Sequence, residues 1–165
     1  MKILITGAGG FLGQFLARKF LEDGSHQLVL TDVMDCPIPK GSKHPDNAKV
    51  IKGDIFEEVD NLVTKDLDAV YIFHGIMSSG SEANFDLGMK VNVDATRLLL
   101  EKLRHTTPGI RVIYASSQAV YGRPFPEVLT EDVFPTPVSL FSPESHQALT
   151  RRRAPAKASR LGCIV

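Results

Sequence analysis

The sequence predicts an α/β chain built on a doubly wound parallel sheet. Three observations point there. Short apolar runs alternate with stretches of helical periodicity through the first 116 residues. Each run is apolar from end to end, as in a strand covered by helices on both faces. Gly, Pro and Asp mark most junctions, so the connections are short and follow right-handed crossovers.

The elements follow in order. Residues 2–6, KILIT, are a buried strand that stops at Gly7. Phe11, Leu12, Phe15, Leu16, Phe20 and Leu21 recur at helical spacing, and Asp23-Gly24 ends that helix. QLVLT (27–31) is the second strand and runs into Asp32. A loop with Pro37, Pro39, Gly41 and Pro45 leads to KVIKG (49–53), Asp54 and a short acidic helix. DAVYIFHG (68–75) is the fourth strand. Residues 84–104 form one long helix with Val91, Ala95, Leu98, Leu99 and Leu103 on one face, and IRVIYAS (110–116) is the fifth strand. PFPEVLTEDVFPTPV (124–138) carries four prolines and reads as a loop. The sheet is therefore expected to be incomplete after the fifth strand, leaving IRVIYAS as a bare edge and the long helix short of a neighbour. Self-association through that side is the expected consequence.

Composition narrows the function classes. Of 165 residues, 43% are hydrophobic and 23% charged, ordinary values for one globular unit. Net charge is zero but uneven. Residues 151–165 hold Arg151, Arg152, Arg153, Lys157 and Arg160 with no acid, against 14 basic and 19 acidic side chains before them. No aromatics interleave this basic stretch, so it reads as a disordered solvated tail over 139–165 and not as a nucleic-acid surface. Two scattered cysteines, Cys36 and Cys163, give no metal site or disulfide framework and suit a reducing compartment. No run reaches the length of a membrane span, and MKILIT is no signal peptide, so the expected location is cytoplasmic.

The chemistry concentrates at the first strand–helix junction. Gly7, Gly10 and Gly13 lie in Thr6-Gly7-Ala8-Gly9-Gly10-Phe11-Leu12-Gly13, at G-x-x-G-x-x-G spacing. Gly7 permits a tight turn, Gly10 lets a pyrophosphate approach the backbone, and Gly13 lets helix and strand close up. The helix N-terminus, at Phe11 and Leu12, offers free N–H groups to phosphate. Asp32, about 20 residues on, ends the second strand and can accept from ribose hydroxyls. Its charge opposes a 2′-phosphate, which favours NAD over NADP. The fold is thus of the Rossmann type, and the first partner is a dinucleotide.

With these residues in place the chain resembles the extended short-chain dehydrogenase/reductases, the NAD-dependent epimerase/dehydratase family. Gly53-Asp54-Ile55 resembles that family's pair beside adenine, which assigns Asp54 and Ile55 to the cofactor. His74-Gly75-Ile76 stands where the family's chain passes the cofactor, so His74 and Gly75 join them. Asn92-Val93-Asp94-Ala95-Thr96 is similar to its N-V-x-G-T helix segment, with Ala95 in place of Gly; Asn92 reads as a tie between backbone segments. Ser116-Ser117-Gln118-Ala119-Val120-Tyr121-Gly122 resembles its S-S-x-x-V-Y-G turn. The resemblance makes Ser117 the catalytic serine that binds the reacting hydroxyl or carbonyl, and Tyr121 reads as packing. The wording is similar to the D-erythronate dehydrogenase-like branch, which implies oxidoreduction or epimerisation of a sugar or sugar-acid substrate.

The family's Y-x-x-x-K pair belongs on the next helix, where tyrosine moves the proton and lysine lowers its pKa. Here those positions fall on Phe141 and Ser145. No tyrosine follows Tyr121, and Lys157 is the only later lysine. In the family a substrate domain follows that helix, and the expectation for this chain is a basic tail in its place. The change of composition resembles an out-of-frame or unspliced continuation of a longer gene, or a natural short form. Three readings stand: a catalytically deficient relative that keeps its dinucleotide site, an active NAD-dependent sugar-acid dehydrogenase using other residues or a partner chain, and a non-enzymatic NAD-binding interaction module.

Overall fold

The computed structural model describes residues 1–122, 124–136 and 161–164. Its core is a parallel sheet in the order β3-β2-β1-β4-β5-β6. The strands are β1 (Lys2–Thr6), β2 (Gln27–Asp32), β3 (Ala48–Lys52), β4 (Ala69–Ile72), β5 (Arg111–Ala115) and β6 (Leu161–Ile164). The chain winds outward from β1 through β2 to β3, then returns to pair β4 on the other side of β1. That reversal makes the sheet doubly wound and opens a crevice at the carboxyl ends of β1 and β4.

Side-chain alternation in the strands assigns the two faces. Ile3, Ile5, Leu28 and Leu30 bury against α1 (Phe11–Asp23) through Ala17 and Leu21. Leu4, Val29, Val70 and Val112 bury on the opposite face with α2 (Ile55–Leu62) and the helix at Ala95–Thr106. β3 is the outer strand on its side, and its Lys49, Val50 and Lys52 are exposed.

Three expectations are corrected. The stripe on α1 is not the one that periodicity suggests: Gly13, Ala17 and Leu21 are buried, while Phe11, Leu12 and Phe15 are exposed, Phe11 by 85%. The cause is local. A Cβ on Gly13 would lie 2.6 Å from Ala8 Cα and closer still to the Gly7 carbonyl, so the face that carries Gly13 is the one that meets the turn and the sheet. The long helix is also composite. A turn, α3 (Ser78–Ala83), precedes α4 (Phe85–Gly88), a π-helical segment spans Met89–Asp94, and α5 (Ala95–Thr106) completes it. Its apolar side is covered, since Leu99 and Leu103 are fully buried among α2 and the sheet.

The third correction concerns the sheet edge. β5 is not bare, because β6 pairs with it in parallel from Val112↔Leu161 to Ala115↔Ile164. The sixth strand comes from the basic segment read as a tail, where the run Leu161–Ile164 is short and follows prolines and arginines. The edge argument for self-association therefore falls. Phe141, Ser145 and the rest of 137–160 lie outside the described residues. Among the described residues no helix is long and apolar enough to cross a membrane, and no cluster of His, Cys, Asp or Glu could hold a metal.

Candidate functional site

Two adjoining clefts run along the carboxyl ends of the strands and share Phe73, His74 and Gly75. The larger, about 500 Å³, is bounded by Gly7, Gly10, Asp32, Asp54, Ile55 and Val91. The smaller, about 210 Å³, lies beyond β4 and is lined by Leu12, Asn92, Tyr114, Ser116 and Ser117. The structure thus brings together residues that the sequence spreads from position 7 to position 117.

The three glycines serve different needs. Gly7 adopts φ +65°, and a Cβ there would meet the Phe73 carbonyl carbon at 2.5 Å. Gly13 is required by packing, as above. At Gly10 a Cβ would meet only the Gly7 carbonyl, at 3.3 Å, and otherwise faces the cleft. A side chain there asks that carbonyl to give by only a few tenths of an ångström, far less than at Gly7 or Gly13, so the space beside Gly10 suits a ligand. Gly10 is the N-cap of α1, whose first turn has no acidic residue to compete for the helix's positive end.

Asp32 is held in place by the backbone. Its Oδ2 accepts the Gly9 N–H at 2.9 Å and its Oδ1 accepts the Met34 N–H at 3.0 Å. Each oxygen keeps a lone pair for a ribose hydroxyl. Gly9 was not singled out by the sequence; a Cβ there would lie 3.1 Å from Asp32 Oδ2, which is why a glycine stands at that point. Asp54 also has structural work, capping α2 by accepting the Phe56 N–H at 3.1 Å. Ile55 is buried between the cleft and the core.

His74 sits where the clefts meet. Its Nδ1 is 2.8 Å from Thr6 Oγ1 and its Nε2 is 3.1 Å from Thr96 Oγ1, so the ring ties the end of β1 to α5. Desolvation lowers its pKa to about 4, against weaker opposing pulls from Asp32 and Asp54. Neither hydroxyl partner stood out in the sequence, since a threonine at a strand end or in a helix carries no signal of its own.

Asn92 lies within the π-helical segment and grips one residue at both ends. Its Oδ1 accepts the Ile76 N–H at 2.8 Å, and its Nδ2 donates to the Ile76 carbonyl at 3.1 Å. The tie between backbone segments read from the sequence is therefore present. It fixes the 73–77 segment that walls both clefts. Asn92→Ala should leave both Ile76 groups without these partners and cost about 1–3 kcal/mol. Urea unfolding would measure this, and an unchanged midpoint would refute the role.

Ser117 accepts the Ala119 N–H at 3.1 Å and caps the turn Gln118–Val120. With its oxygen accepting there, the hydroxyl proton is free to donate toward the smaller cleft. Val120 is fully buried and Tyr121 half-buried, and neighbouring Gly122 donates its N–H to Thr136 Oγ1 at 3.1 Å. Two buried hydroxyls that border the clefts, Thr31 Oγ1 and Ser116 Oγ, have no protein partner. Unpaired hydroxyls beside a glycine-lined cradle fit a polar ligand with hydrogen-bonding groups of its own.

The NAD-dependent epimerase/dehydratase family model matches residues 3–148. The chain belongs to this family. Among curated proteins it is similar to D-erythronate dehydrogenase of Cupriavidus necator, 37% identical over 153 residues, covering 86% of this chain and 46% of that protein. It is also similar to D-erythronate dehydrogenase of Haemophilus influenzae, 36% identical over 149 residues, covering 86% of this chain and 45% of that one. Among solved structures, UDP-glucuronic acid 4-epimerase from Bacillus cereus in complex with NAD superposes with a TM-score of 0.75. It is 27% identical and the match covers 92% of this chain and 52% of that chain. This family member spans about half the length of the relatives it matches.

Proposed function

We propose that this chain is an NAD-binding Rossmann unit of an enzyme that oxidises or epimerises a sugar or sugar acid. The observation that carries this is Gly10, the glycine of the turn least constrained by protein contacts, facing a cleft that ends at a carboxylate fixed for a ribose. The pyrophosphate would lie against Gly10, Phe11 and Leu12, the adenosine ribose on Asp32, and adenine between Asp54 and Ile55. The nicotinamide end would pass His74 and Gly75 into the smaller cleft, beside Ser117. NAD, when bound, supplies hydride acceptance and return. Ser117 would donate a hydrogen bond to the reacting oxygen as charge develops there. Similarity to the two D-erythronate dehydrogenases supports a sugar-acid substrate, and likeness to the sugar-nucleotide epimerase supports the wider sugar class.

By this proposal the chain binds cofactor without turning substrate over by itself. Its sequence offers no tyrosine after Tyr121 to move the proton, and Phe141 cannot do so. Titration calorimetry should give tighter binding of NAD than of NADP, and equal or reversed affinities would remove Asp32 from the assignment. Erythronate and NAD together should give no reduced cofactor by absorbance. Steady turnover would establish the active-dehydrogenase alternative.

A further inference from the structure

Asp32 and Lys52 are register partners on β2 and β3, so their side chains leave the same face of the sheet from strands about 4.8 Å apart. A lysine beside the ribose carboxylate would ordinarily attract a 2′-phosphate and blunt the preference that Asp32 creates. In this structure Lys52 is turned away from that task. Its Nζ lies 2.5 Å from Asp35 Oδ1, in the loop that follows β2. The Asp35 backbone passes close to the glycine turn, its carbonyl 2.9 Å from where a Cβ on Gly9 would be. The Asp35–Lys52 bond lowers the pKa of the acid and raises that of the lysine, so both stay charged at neutral pH.

We infer that Asp35 is a specificity-determining residue: by holding Lys52 it keeps the corner beside Asp32 negative and closes it to nucleotides carrying a 2′-phosphate. This rests on the dinucleotide reading of the larger cleft and adds a second acid to it. Asp32 acts on the ribose directly, while Asp35 acts by occupying the one lysine that is in register with Asp32. Both side chains of the pair are exposed, 86% for Asp35 and 57% for Lys52, so substitutions there leave the core untouched.

The probes are 5′-AMP and adenosine 2′,5′-bisphosphate, titrated into the full chain by calorimetry, with circular dichroism confirming the fold of each variant. Asp35→Asn should improve bisphosphate affinity about five- to tenfold at low salt, as expected for freeing one charge near the surface, with 5′-AMP changed less than twofold. The double variant Asp35→Asn with Lys52→Gln should lose most of that gain. A bisphosphate-to-AMP ratio that Asp35→Asn leaves unchanged would overturn the inference while sparing the dinucleotide site. A gain that persists in the double variant would overturn it too, because Lys52 would not be the group released. Failure of both probes to bind the wild-type chain would sink the dinucleotide reading and this inference with it.

Discussion

Gly10→Val is expected to weaken NAD binding more than a hundredfold while leaving the fold standing. A Cβ there has the Gly7 carbonyl at 3.3 Å as its one neighbour within 4 Å, and Gly10 lines the larger cleft, so a valine's methyl groups are expected to take up cleft space. The pyrophosphate would have to approach through that volume. A hundredfold loss corresponds to about 2.8 kcal/mol. The melting temperature should move by only a few degrees, because nothing in the core is displaced. Gly13→Val supplies the contrast. Its side chain would drive into Ala8 and the Gly7 carbonyl, in a place where the helix cannot move off the turn without losing the burial of Ala17 and Leu21. Overpacking there should cost about 3 kcal/mol. Calorimetry and thermal melts on the two variants separate a glycine kept for a ligand from one kept for packing. Retained NAD binding in Gly10→Val would place the dinucleotide elsewhere.

The alternation of apolar runs and helical periods made five strands and the doubly wound order legible, because the strands β1, β2 and β4 are buried by their own residues and the outer β3 still keeps its β-branched pair. The glycine turn and Asp32 were equally legible, since their spacing reflects a local strand–turn–helix geometry. The helix faces were harder. Phe11, Leu12 and Phe15 keep helical spacing yet point outward, because Gly13 fixes which side of α1 meets the sheet. Periodicity reports that a helix has two sides but not which one a close backbone contact selects. β6 escaped notice for another reason. Four residues that follow an arginine-rich stretch carry too little pattern to be distinguished from a tail, and their pairing with β5 is a non-local event. The same holds at the site. Asn92 and His74 were visible through the segments they belong to, whereas Thr6 and Thr96 become partners of His74 only once β1, β4 and α5 are brought together.

That ring gives the chain an acid sensitivity whose sign can be worked out. His74 has a pKa of about 4 in the folded chain against an ordinary 6.5, the larger cause being desolvation. Between those values the unfolded chain takes up a proton that the folded chain refuses. Protonation therefore pulls toward unfolding, and stability falls as pH drops from 6.5 to 4, with no contribution from this group above that window. From pH 7.5 to 5 the expected loss is about 2 kcal/mol. Carboxylates with lowered pKa values, Asp23 and Asp66 among them, act at lower pH, where they would begin to protonate in the unfolded chain near 3.8. Holding the comparison above pH 5 keeps them out of it. His74→Gln retains a polar group between Thr6 and Thr96 but cannot titrate. Urea midpoints for the two proteins should converge as pH falls, because only the wild type loses stability in this range. Parallel pH profiles for wild type and His74→Gln would show that the buried imidazole is not the source of the slope, and that the tie between β1 and α5 survives its protonation.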